Sequence, residues 1–462
     1  MQEQIVDAGD ARHFPPQDLK DSPDAIAQDV ENKVPRQRRW YQMLGPGLIT
    51  GASDDDPSGI ATYAQAGAMF AYAMLWTLVL TLPLMAATQE LSARIGRVSG
   101  RGLAGNMRRC YGRWLVLPIV FLLVAANVIN LGADIAAMGQ SAQMLMRHGS
   151  PLLYAAAFAV LSLVLQVFIR YAQYTQYLKW LSLVLVVYIA TAFLGHVHWK
   201  QAMWGAVFPH VAWTGGYLSM LVAVIGTTIS PYLFFWQASM ETEEIKSTPN
   251  DNRLKKSPEQ ARDQFERIRI DTYAGMGISN LIGFFIMLTF AVTIGSDPNG
   301  NHQINSAQDA AAALGQALHV SGHGMVAQWL FCIGVIGTGM LAVPVLAGSA
   351  AYGVSEAMNW GVGLDRKIHR ARGFYAVLAA ATLLGLGINF VHAIDPIQAL
   401  VWSAVINGVV AVPVMAVMVH MSADPRIMGK FANVGKGVRA FGWLATGIML
   451  LAAIGMFATW GK

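Results

Sequence analysis

The sequence predicts an all-α polytopic membrane protein of about eleven transmembrane helices, and three observations carry that expectation. Only 13% of the 462 residues are charged while 55% are hydrophobic; an ordinary soluble domain carries about 25% charge, so too little polar surface is left to cover a body in water. Apolar stretches of roughly 20 residues, each long enough to cross a ~30 Å hydrocarbon core as a helix, recur from residue 43 onward. The bases sit in short blocks beside those stretches, so the formal charge of +5 reads as orientation in a lipid bilayer and not as affinity for nucleic acid. Two cysteines, Cys110 and Cys332, make neither a disulfide framework nor a Cys-rich zinc site and read as packing residues.

Residues 1–40 mix both signs of charge, hold no apolar core of the length a signal peptide needs, and read as a cytoplasmic tail. Residues 41–462 form the membrane domain. Its apolar segments fall at about 43–69, 71–93, 114–142, 152–170, 177–196, 213–240, 273–296, 325–349, 374–391, 397–421 and 440–460. With the N-terminus inside, all 32 Lys and Arg except Arg147, Lys200 and Lys462 fall on the cytoplasmic side. That bias predicts a multi-pass protein of the inner (cytoplasmic) membrane with its C-terminus outside. The charged stretch 246–270 reads as a loop followed by a short amphipathic surface helix. On the other side, 302–322, containing AQDAAAALGQAL, reads as a second short helix over the membrane face.

Two segments are interrupted. The first reads GPGLITGASDDDPSGIATYAQAGAMF, with Asp54, Asp55, Asp56, Pro57, Ser58 and Gly59 in mid-span. Each Asp costs at least ~2.5 kcal/mol at a helix centre, so an intact lipid-facing helix is excluded and the backbone unwinds into a polar cavity. The sixth reads GGYLSMLVAVIGTTISPYLFFWQASM. There Pro231 frees backbone acceptors beside Gly226, Thr227, Thr228 and Ser230. Breaks in matching positions, five segments apart, predict two inverted five-helix repeats, at about 43–196 and 213–421, with a binding site between the broken helices and an extra helix at 440–460.

Carboxylates, unwound carbonyls and the hydroxyls of Ser58, Thr227, Thr228 and Ser230 make an oxygen-rich, anionic pocket suited to a hard cation. Asp56 is the leading candidate to touch the cargo, because intramembrane acids are functional by default. Asp54 and Asp55 either join it, face a water path, or cap a half-helix N-terminus.

These residues resemble the natural resistance-associated macrophage protein (NRAMP) family of divalent-metal transporters. GPGLITGASDDDPSG is similar to the family's first helix, Gly-Pro-Gly, eight residues, then Asp-Pro-Gly-Asn, and the interval from Gly47 to Asp56 is the same. GTTISPYLFFWQAS is similar to the sixth-helix stretch Gly-Ala-Thr-Val-Met-Pro-His-Asn-Leu-Tyr-Leu-His-Ser. The resemblance covers roughly residues 40–460 and implies a LeuT-like fold and proton-coupled symport of metal. It places the family's metal-binding aspartate on Asp56 and its third-helix proton-pathway aspartate on Asp134, whose following glutamate becomes Ala137. The asparagine ligand falls on Gly59, the methionine ligand on Ser230, and the two histidines on Tyr232 and Gln237. Losing the thioether removes the donor that favours soft metals, and losing the amide leaves a wetter site. Magnesium, which keeps several waters, or manganese is therefore the expected cargo, with protons as the expected partner ion.

No enzyme activity and no cofactor is expected. A proton-coupled carrier of a small organic solute on the same fold is the main rival, since fold does not fix substrate. An intramembrane aspartyl protease would need Asp56 and Asp134 to share a proton. Of the remaining polar residues, Glu90 pairs structurally with Arg94 or gates, and Asn407 lines the pathway or bonds a neighbouring helix. His392 and Asp395 read as surface polarity. Glu241, Glu243 and Glu244 line an exit or are solvated.

Overall fold

The computed structural model describes residues 45–169, 183–194, 197–248, 250–296, 302–304, 306–318, 325–364, 366–391, 395–433 and 435–460. The expected tail at 1–40 and His392 lie outside them. The helices in chain order are α1 Pro46–Ala52, α2 Pro57–Phe70, α3 Leu75–Ser99, α4 Leu103–Cys110, α5 Arg113–Met146 and α6 Pro151–Phe168. They continue with α7 Val187–Leu194, α8 Trp199–Val207, α9 Gly215–Thr228, α10 Pro231–Ser247, α11 Ala261–Thr293 and α12 Ala307–Ala317. The last are α13 Met325–Met358, α14 Arg372–Val391, α15 Pro396–Met421, α16 Pro425–Met428 and α17 Lys436–Ala458.

Local chemistry sets many of these boundaries. Pro opens α1, α2, α6, α10 and α15 at a position where its missing N–H costs nothing. Gly100, at φ +67, closes α3 in the left-handed conformation. Ala71, at φ +47, turns the chain sharply between α2 and α3. Asp395 caps α15 by accepting from Ile397 N at 3.0 Å. Large apolar side chains such as Trp114, Phe121, Leu153, Phe168, Leu384 and Leu451 are exposed on the outer surfaces of α5, α6, α14 and α17, where lipid takes the place of water.

Among the described residues nine helical stretches are long and apolar enough to cross a membrane. The difference from eleven has two sources. The 3₁₀ turn Ala71–Met74 joins the first and second expected segments into one stretch, Pro57–Ser99. Of the fifth segment only Leu183–Val186 and α7 are described.

No separate short surface helix stands among the described residues of 246–270. α11 instead runs unbroken for 33 residues from Ala261: Arg262, Asp263, Glu266 and Arg269 of its first turns are exposed, while Arg267 is buried and paired inward with Glu241 at 2.5 Å and Glu244 at 3.1 Å. Glu241 is thus buried in an ion pair, neither solvated nor free to line an exit. The expected 302–322 helix is α12, fixed by a capping box between Ser306 and Asp309. Glu90 and Arg94 form the expected pair one helical turn apart.

The polar core is built where helices cross closely. α5 lies along α13, α9 along α15, and both α1 and α2 along α11. Glycine permits two of these approaches: a Cβ on Gly51 would sit 2.3 Å from Gly275 C, and one on Gly226 would sit 2.3 Å from Ala404 O.

Candidate functional site

The first interruption separates α1 from α2, and Asp56 stands at its centre. Pro57 disfavours helical backbone in the residue before it, and Asp56 accordingly takes an extended conformation, φ −72 and ψ 169, as the N-cap of α2. Its Oδ1 accepts from Gly59 N at 2.6 Å. The second interruption, at Ile229 and Ser230, separates α9 from α10, again with a proline at the first helical position.

Both breaks converge on Asp56. Its Oδ2 accepts from Asn130 Nδ2 on α5 at 3.0 Å and, more weakly, from the Tyr232 hydroxyl on α10 at 3.4 Å. Ser403 on α15 donates to Asn130 Oδ1 at 2.7 Å, which fixes the amide so that its N–H₂ faces the carboxylate. Ser58 joins this group through Ser403 Oγ at 3.0 Å and Leu400 O at 2.9 Å. A Cβ on Gly59 would lie 3.2 Å from Thr227 Oγ1, 3.3 Å from Asp54 O and 3.4 Å from Asp56 Oδ1. Three oxygens therefore gather where this residue has no side chain: a hydroxyl, a carbonyl and a carboxylate.

Several expected participants point elsewhere. Asp54 and Asp55 turn toward α11, where Ser279 Oγ lies 2.7 Å from Asp54 Oδ2 and 3.1 Å from Asp55 Oδ1. One hydroxyl proton serves two carboxyl groups there, and Asp54 Oδ1 is buried with no hydrogen-bond partner. Ser230 and Thr228 spend their hydroxyl protons on their own helix. Ser230 donates to Gly226 O and Thr227 O at 2.9 Å, and Thr228 to Val224 O and Ile225 O at 3.1 Å. Ser230 thereby satisfies Thr227 O, the carbonyl four residues before Pro231 that the proline leaves without an N–H, while Thr228 bonds back to carbonyls of the preceding turn, as Ser and Thr do in helices. Gln237 lies two turns along α10, accepting from Thr50 of α1. Asn407 is buried with Oδ1 unpartnered. Asp134 sits one turn beyond Asn130 on α5, fully buried, and neither of its carboxyl oxygens has a hydrogen-bond partner. It makes no hydrogen bond to Asp56, so the shared proton that a protease dyad requires is missing.

Asn130, Ser403 and Ser279 were not singled out by sequence reasoning. Asn130 carried one signal: it stands four residues before Asp134, on the same helical face.

Among the described residues no group of three His, Cys, Asp or Glu converges in a way that could hold a metal ion. A cation here would be held by one carboxylate with hydroxyl and carbonyl oxygens, an all-oxygen set that suits a hard, partly hydrated ion. On one side of Pro57 lies an apolar cavity bounded by Ile60, Ala64, Ala137 and Val335, with Ala307 and Ala310 of α12 across it.

The family model described as natural resistance-associated macrophage protein-like matches residues 47–459. The divalent metal cation transporter MntH of Acidiphilium cryptum is 23% identical over 451 residues, covering 92% of each chain. MntH of Mycobacterium tuberculosis is 22% identical over 413 residues, 88% of this chain and 89% of that one. Among solved structures, the Eremococcus coleocola manganese transporter superposes with a TM-score of 0.69 at 17% identity, over 92% of this chain and 89% of its own. MhsT in complex with L-phenylalanine superposes with a TM-score of 0.55 at 12% identity, over 89% of this chain and 97% of its own. At such identities the superpositions speak for a shared LeuT-like fold.

Proposed function

Because the chain belongs to the natural resistance-associated macrophage protein-like family, we propose that it is a secondary active transporter that carries a divalent metal cation across the cytoplasmic membrane by alternating access. The observation that carries this reading is Asp56, a buried carboxylate held at the meeting point of two helix breaks, where Thr227 Oγ1 and Asp54 O also close on Gly59. Magnesium or manganese is the favoured cargo, since the donors are all oxygen and no thioether or imidazole stands at either break. Its relatives' names, divalent metal cation transporter and manganese transporter, agree with that class.

The two repeats span about 43–196 and 213–421, with the helix at 440–460 added. The basic end of the bundle faces the cytoplasm, which puts α12 on the outer face. Asp134 takes up and releases the coupled proton; its two unpartnered carboxyl oxygens support that role. Asp56 changes partner between cation and proton.

Purified protein in liposomes tests the reading. It predicts saturable Mn²⁺ or Mg²⁺ uptake, driven by an inward proton gradient and lost in Asp56→Ala. Absent flux of both ions, with uptake of an organic cation or amino acid in their place, would transfer the site to the organic-solute alternative.

A further inference from the structure

α1 is seven residues long, too short to persist as an isolated helix in water. Its first N–H groups have no partner within the helix, and Pro46 has none to offer. The neighbouring ones converge on a single side chain of α11. Gly45 N and Leu48 N donate to Asp271 Oδ1 at 2.8 and 2.9 Å, and Gly47 N donates to Oδ2 at 2.6 Å. The fit requires glycine: a Cβ on Gly47 would lie 2.9 Å from Asp271 Oδ2 and 2.8 Å from Thr272 N. An ordinary N-cap is the residue just before the helix and travels with it. Asp271 is more than 220 positions away, on a separate helix, so a rigid-body movement of α1 breaks all three bonds together.

Asp271 has a second partner in waiting. Arg267, one turn earlier on α11, has Nη1 4.0 Å from Asp271 Oδ2, while it pairs with Glu241 and Glu244 of α10. A buried carboxylate stripped of its donors is costly unless a charge replaces them, and Arg267 is placed to do so. α1 also carries Thr50, bonded to Gln237 of α10, and leads through Ser53 directly into Asp54, Asp55 and Asp56. Releasing it therefore frees the basic end of the path to the site.

We propose that Asp271 is the positioning residue of the gate at the basic end: it latches the half-helix α1 to α11, and on opening it exchanges the three backbone donors for Arg267. The proposal rests on the alternating-access reading above, and its test is independent of flux. In a Cys110→Ser background, Thr50→Cys places a thiol on α1 at a position that is 0% exposed, and the native Cys332, also 0% exposed, serves as an internal control on α13. The protein in lipid nanodiscs is treated with a membrane-impermeant maleimide, and labelling of each thiol is followed by peptide mass spectrometry. The latch predicts that Asp271→Asn speeds labelling of the α1 thiol by roughly tenfold and Asp271→Ala by more, with Cys332 unchanged. If the alanine variant does not fold, the asparagine variant decides. Unchanged labelling of the α1 thiol, or equal acceleration at both thiols, would overturn the latch. Missing metal uptake by the parent would defeat the transport reading and leave the labelling comparison standing.

Discussion

Asn130 Nδ2 donates to Asp56 Oδ2 at 3.0 Å while Ser403 Oγ donates to Asn130 Oδ1 at 2.7 Å. The carboxylate at the helix break is thereby oriented from outside both broken helices, by α5 and α15, and its lone pairs are only partly spent. A group that orients a ligand typically matters 10- to 100-fold in metal affinity. Asn130→Ala is therefore expected to weaken Mn²⁺ binding by about that factor, measured by calorimetry or metal-dependent thermal shift. Ser403→Ala is expected to act in the same direction and less, because it loosens the amide without removing it.

The ion pair between Arg267 and Glu241 is buried on both sides, with side chains 4% and 0% exposed. Removing one partner of such a pair strands the other, at a cost of about 3–5 kcal/mol. Arg267→Gln should lower the melting temperature in detergent strongly. Glu241→Gln combined with Arg267→Gln should recover part of the loss, and a double-mutant cycle would read the coupling.

Gly226 of α9 meets α15 backbone to backbone: a Cβ there would lie 2.3 Å from Ala404 O and 2.5 Å from Gly408 N. Neither contact belongs to a side chain that can move aside. Gly226→Ala is expected to destabilise by about 1–3 kcal/mol and to disturb the second break, seen as a lower melting temperature. Gly216, in the first turn of the same helix, has nothing within 4 Å of its Cβ position. Gly216→Ala is the matched control and is expected to be neutral or slightly stabilising.

What the sequence made legible is chiefly what the bilayer forbids. Three consecutive acids before Pro57, and Pro231 following two threonines and a serine, are incompatible with continuous lipid-facing helices, so both breaks could be located from the order of residues alone. The direction in which each side chain leaves a break could not. Asp54, Asp55 and Asp56 are adjacent, yet Asp56 turns to Asn130 and Tyr232 while its two neighbours turn to Ser279. That choice depends on the helix packed behind α1, more than 220 residues along the chain. Ser279 and Asn130 were invisible for the same reason: a lone Ser or Asn in an apolar segment is ordinary until its partner is known. The continuity of α11 was hidden because charges at 261–270 suggest a solvated face, and only the fold shows Arg267 turned inward.

Diffraction data collected at the manganese absorption edge from protein soaked in Mn²⁺, with a parallel Mg²⁺ soak, examine the binding site itself. An anomalous peak within bonding distance of an Asp56 carboxyl oxygen, close to Thr227 Oγ1 and Asp54 O and abolished in Asp56→Ala, is the outcome expected. A peak only at Asp54, Asp55 and Ser279, or one that survives the substitution, would contradict the assignment of the cation to Asp56.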